Sequence, residues 1–136
     1  VAPLERFVSI PTRWLATMDG QLADAERRLA SADRHLAAGQ GGRAIQEAYP
    51  GVMAAAIVKV WLADEPWHKQ RSEQEYSRMV RDELPSGFAT LFEMKLDHRS
   101  FSGWRPEDAR PLIDEARAFV ASVRSELERC RPAPTT

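Results

Sequence analysis

Residues 15–36 read LATMDGQLADAERRLASADRHL, and the fold follows from them. Leu15, Met18, Leu22, Ala25, Leu29, Ala32 and Leu36 recur at alternating steps of three and four, which sets all seven on one side of a helix. Asp24, Glu26, Arg27 and Asp33 fall off that seam, as residues on a solvent-facing flank do. Pro11 suits the first turn, and the Gly39-Gln40-Gly41-Gly42 stretch ends the helix because glycine takes left-handed conformations without penalty. Gly20, in the middle, costs about 1 kcal/mol relative to alanine. A helix this long with a single apolar seam needs partners to cover it.

The partners lie downstream. Residues 52–62, VMAAAIVKVWL, are apolar nearly all round, which marks the segment 43–63 as a central helix covered on most sides. Pro50 lacks an amide donor and Gly51 follows it, so a kink or local break is expected near Tyr49. Residues 64–70 read as a loop, after which Ser72 and Glu75 form a capping box. The third helix carries Tyr76, Met79, Val80 and Leu84 and closes at Pro85; a short fourth carries Phe88, Leu91, Phe92 and Leu96. Residues 97–106 look irregular. The last helix is expected to start with Asp108 as its cap and Pro111 in its first turn, along a seam of Leu112, Ala116, Phe119, Val123 and Leu127. No segment alternates strictly, and β-branched residues are sparse outside the central helix, so no strand is assigned. The expectation is an all-α protein, an up-and-down bundle of four to five antiparallel helices. Residues 1–10 form an extension, 11–130 the bundle, and 131–136, rich in proline, a frayed tail.

Composition narrows the function classes. The chain has 136 residues, 43% of them hydrophobic, which suits one domain with its own core. Nineteen basic against 20 acidic side chains leave a formal charge of −1, so a long-range field steering the protein to nucleic acid or anionic lipid is missing. Cys130 is the single cysteine, which rules out an internal disulfide and a thiolate zinc cluster. The three histidines, His35, His68 and His98, show no metal-ligand spacing with each other, so neither metal nor other cofactor is expected. No apolar run approaches the roughly 20 residues a bilayer requires, and the first residues do not read as an export signal. A cytoplasmic protein with no membrane contact is the expectation.

The ordered pieces resemble the HEPN family (higher eukaryote and prokaryote nucleotide-binding domain), especially its small stand-alone bacterial members. The likeness runs through the long helix containing Ala25-Glu26-Arg27-Arg28-Leu29, the glycine-containing turn at residues 38–42, and the helix with Ala48-Tyr49. It continues through His68-Lys69, through Leu91-Phe92-Glu93-Met94-Lys95-Leu96-Asp97-His98-Arg99 where the functional arginine motif falls, and through Asp114-Glu115-Ala116-Arg117-Ala118-Phe119-Val120. The resemblance implies a helical bundle, often a homodimer, belonging to a toxin and antitoxin or defence pair. Some such members are metal-independent ribonucleases and others inactive accessories. The active ones carry an arginine followed four to six residues later by a histidine, the guanidinium holding phosphate and the imidazole moving protons.

This chain departs from that spacing. Only Arg28 and His35, with six residues between them, satisfy it formally, and they lie in the first helix, where the motif is not expected; at the expected place His98 precedes Arg99. Under the resemblance, Lys95 and Arg99 hold phosphate of RNA or a nucleotide, His98 transfers protons, and Asp97 and Glu47 orient them. Each residue also has a plainer reading. The Lys95–Arg99 run makes structural loop contacts, Glu47 pairs with Arg43 one turn earlier, Tyr49 is a core aromatic, and His68 is surface decoration. Trp104, bracketed by Phe101 and Arg105, suits a dimer surface or base stacking, or else sits tucked over the bundle end. The other class of function is a non-catalytic interaction module, in which the bundle face or the Trp67 and Trp104 loops bind a partner such as a nucleotidyltransferase.

Overall fold

A computed structural model describes residues 10–66, 71–94 and 103–130. The expected extension before Ile10, the loop at 67–70, the 95–102 stretch and the tail 131–136 lie outside the described residues. The rest is five helices packed together: α1 (Thr12–Ala37), α2 (Gly41–Asp64), α3 (Glu73–Glu83), α4 (Ser86–Met94) and α5 (Pro106–Arg129). No strand occurs among the described residues.

The α1 seam is buried as its spacing predicts. Met18, Leu22, Ala25 and Ala32 are wholly inaccessible and Leu29 and Leu36 nearly so, while Leu15 is half-buried at the edge. Alanines set how closely α2 approaches. Ala44, Ala48, Ala55 and Ala56 are fully buried, and a Cβ on Gly51 would stand 3.3 Å from the Ala25 backbone. Gly39, with φ +77°, provides the left-handed residue that turns α1 into α2. Pro11 stands one residue before the helix, at the N-cap, and its carbonyl accepts from the amides of Trp14 and Leu15.

Pro50 does not break α2, which runs from Gly41 to Asp64 with the proline inside it. Pro50 is exposed, so its ring stands on the solvent side of the helix, where the loss of one amide donor is tolerated.

α5 differs from expectation at its start and in its seam. Pro106 is its first residue and Arg105 its N-cap, with Glu107 and Asp108 in the first turn. A proline there forfeits an amide with no intrahelical partner anyway, and the two carboxylates meet the positive end of the helix dipole. Pro111 is consequently interior and exposed. The buried seam is Ala109, Ile113, Ala116, Val120, Val123 and Leu127. Leu112 and Phe119 flank it, Leu112 against Gly87 and Phe119 beneath the Lys59 ammonium, 5.7 Å from its ring centroid.

Ion pairs lock α5 to α1 at the rim of this core. Arg124 donates to Asp19 (2.8 Å) and Glu26 (2.9 Å), and Arg117 bridges to Asp33. The Glu26 carboxylate, with Asp19, raises the Arg124 guanidinium further above its ordinary pKa. α3 packs against α2, and α4 bridges α3 and α5. α3 buries only Val80, with Leu84 just beyond it, and α4 inserts Phe88 and Leu91. As the capping box predicts, the Ser72 hydroxyl accepts from the Glu75 amide at 3.1 Å.

Candidate functional site

Three of the residues singled out in the sequence are described, and they do not converge. Glu47 and Tyr49 are two positions apart on α2, which turns them about 200° from each other. Glu47 faces α1, where its carboxylate meets Arg28 at 3.5 Å; Arg28 is also held by Asp24 at 3.0 Å. Its partner is therefore on the neighbouring helix and is not Arg43. The Arg28 and Arg27 guanidiniums hold the Asp24 carboxyl below the usual aspartate range.

Tyr49 faces α4. It is half-buried with its ring 6.3 Å from that of Phe88, and burial pushes its phenol upward. That placement matches the core-aromatic reading. Trp104 is half-buried against the core near the start of α2; a Cβ on Gly41 would stand 2.9 Å from its carbonyl oxygen. This is a tryptophan over the bundle end. Lys95, Asp97, His98, Arg99 and His68, together with Trp67, lie outside the described residues. The Arg28 and His35 pair is divided between partners, since His35 Nδ1 lies 2.9 Å from Gln40 Oε1 at the end of α1.

The structure presents a feature the sequence reading missed, a groove of about 610 Å³ between α2 and α3. Met53, Ile57, Val60 and Trp61 of α2 form its floor. Tyr76 and Val80 of α3 form the facing wall, and Phe92 of α4 and Trp14 of α1 close it further. Trp14 and Trp61 meet edge to face with centroids 5.2 Å apart, and beyond them Arg13 and Thr17 line a smaller hollow.

The other margin of the groove is polar. Arg71 and Glu73 line it, and Arg71 donates to Asp64 at 2.8 Å and to Glu75 at 3.2 Å. These bonds, Asp64 first, raise the Arg71 guanidinium above its ordinary value, and Arg71 lowers Glu75. The Asp64 side chain is 7% exposed, and its second oxygen has no hydrogen-bond partner among the described residues.

No family model, curated protein or solved structure matches the chain. Among the described residues no helix is long and apolar enough to cross a membrane, and no group of three or more His, Cys, Asp or Glu side chains is placed to hold a metal ion.

A sequence signal for the groove does exist. The 52–62 part of α2 is apolar nearly all round, yet α1 and α5 cover only part of it and α3 has too few apolar residues to cover the remainder. An uncovered strip follows from that arithmetic, but its location requires knowing which face α3 takes.

Proposed function

We propose that this chain is a non-catalytic helical interaction module, an antiparallel up-and-down bundle of the HEPN type, that binds its partner through the groove between α2 and α3. The groove is the observation that carries the reading. Its volume of about 610 Å³ falls within the range of roughly 300–1,000 Å³ typical of binding pockets, and its lining is mainly apolar and aromatic. An apolar strip left open beside a closed core marks a recognition surface. Short connections support the antiparallel arrangement: residues 38–40 join α1 to α2, and 84–85 join α3 to α4, lengths that favour a return along the preceding helix. The partner of this reading is a nucleotidyltransferase-type protein in a toxin and antitoxin or defence pair, with the module acting as a cytoplasmic homodimer.

Co-expression with the product of the adjacent gene tests the reading. A complex is expected to survive size-exclusion chromatography with the native chain and to be lost with Tyr76→Asp, while the variant keeps its helical circular dichroism. A complex of undiminished strength with Tyr76→Asp would remove the groove from the interaction.

A second reading has its own support in the sequence. Lys95, Asp97, His98 and Arg99 gather phosphate-binding and proton-transfer groups into five positions that begin directly after α4. This makes the protein an RNA- or nucleotide-binding member with a degenerate ribonuclease motif. Incubation with a mixed pool of cellular RNA without metal separates the two. Cleavage lost in His98→Ala supports chemistry at that run, and no cleavage by either form supports the module.

A further inference from the structure

The groove's two ends and its length restrict what it accepts. On α2 the floor extends from Met53 to Trp61 and on α3 the wall from Glu73 to Val80, each about two helical turns or 11–12 Å. The described residues offer no strand edge that an extended peptide might lengthen, whereas a trough between two helices is the setting in which an amphipathic helix docks its apolar face. Two turns accommodate anchors at i, i+3 or i+4, and i+7.

Charge at the margin selects among such helices. Asp64 and Glu75 both hold the Arg71 guanidinium, and Glu73 lines the same margin of the groove. Glu73 lines the groove, is exposed, and has no ion-pair partner among the described residues. One Asp64 oxygen is buried and lacks a hydrogen bond among those residues. Arg13 stands at this same end of α2, on its α1 side, past the Trp14 and Trp61 rings. Against Arg71, and Arg13 beyond Trp61, the three carboxylates leave one negative charge in excess among these described groups, and Glu73 carries it at the groove.

We infer that the groove's occupant is an amphipathic helix of the partner protein whose apolar anchors are flanked, at the end meeting Glu73, by lysine or arginine. The inference rests on the reading of the groove as the recognition surface and adds the chemistry of what enters it. Apolar anchors supply affinity by filling the floor, and the basic flank supplies orientation and rate of association.

The test uses two fluorescein-labelled helical peptides of about 18 residues with identical leucine spacing, one filled with lysine and the other with glutamate. Fluorescence anisotropy at low ionic strength is expected to show the lysine peptide binding about tenfold more tightly, with the difference shrinking as salt is added. Glu73→Lys is expected to remove most of that preference. Ile57→Trp, which fills the floor, is expected to weaken both peptides, and circular dichroism verifies that each variant is folded. Equal binding of the two peptides, or preference for glutamate, overturns the charge assignment and leaves the groove as a recognition surface. Undiminished binding of both by Ile57→Trp shows adhesion elsewhere and overturns the inference. Binding of neither peptide by the native chain overturns both the inference and the reading beneath it.

Discussion

Two glycines show how differently one side chain type is used along this chain. Gly41 opens α2 against the last residues before α5: a Cβ there would stand 2.6 Å from the Arg105 carbonyl oxygen and 2.9 Å from that of Trp104. Both obstacles are backbone, so neither can yield by changing rotamer. Gly20 is exposed in the middle of α1, with nothing within 4 Å of where its Cβ would be. Gly41→Ala is therefore expected to destabilise the protein by about 1–3 kcal/mol, as overpacking against a fixed wall does. Gly20→Ala is expected to stabilise it by about 0.5–1 kcal/mol, because alanine loses less backbone freedom in a helix. Urea denaturation of the two variants measures both changes, and midpoints displaced in the same direction would contradict this account. Both residues look alike in the sequence, one a helix flaw and the other a turn residue. The packing against Trp104 and Arg105 separates them, and it joins segments more than sixty residues apart.

At the scale of the helix, spacing foretells most of what is seen. The seven-position seam, the nearly all-round apolar 52–62 part of α2 and the Ser72 cap are local patterns, and local patterns are readable without a fold. The seam of α5 was legible only in part, since Leu112 and Phe119 are as apolar as Ile113 and Val120; which pair is buried depends on where α1 and α2 stand. Its first turn was misplaced because Pro106 and Pro111 both suit helix position N1. Glu47 was expected to pair within its helix and instead meets Arg28 on α1, so the candidate site was less legible than the fold. Glu115 carries no local signal of its role: its carboxylate accepts from the Gly87 amide at 2.9 Å, so α5 caps the start of α4 across 28 residues. Glu115→Ala is expected to cost about 1–2 kcal/mol and Glu115→Gln much less, because the amide oxygen can still accept. Faster hydrogen exchange of the first α4 amides in the alanine variant would report the loss. The Asp24 pair that ties Arg28 and Arg27 along α1 adds a pH dependence. A carboxyl lowered in the folded state stabilises above the unfolded aspartate value of about 3.9 and stops doing so as pH falls through the lower folded value. Native chain and Asp24→Asn should thus differ slightly in urea midpoint near neutrality and converge in acid; a gap that widens with acidification would reverse the sign.

The molecule as a whole is unevenly held. α1, α2 and α5 bury continuous seams against one another, and the Arg124 and Arg117 bridges fasten α5 to α1 at the edge. α3 contributes one buried side chain within its length, Val80, and its exposed positions are mostly charged. α4 is held chiefly by Phe88, Leu91 and the Glu115 cap. Elements with few buried apolar groups open at lower free energy than the core they rest on. Native-state hydrogen exchange should therefore show residues 73–94 exchanging through a partial opening that leaves α1, α2 and α5 protected, and the two classes of amide should merge only near the global midpoint in urea. Protection of α3 equal to that of α1 throughout the urea series would make the five helices one cooperative unit and exclude such an opening. The consequence reaches the groove, because α3 is its movable wall and α2 its fixed floor. A helix seated between them links the weakly held element to the strongly held one, so its binding should slow exchange in α3 far more than in α2. Partner binding would then be read out as order in the least stable part of the bundle, in proportion to how much of the peptide is bound.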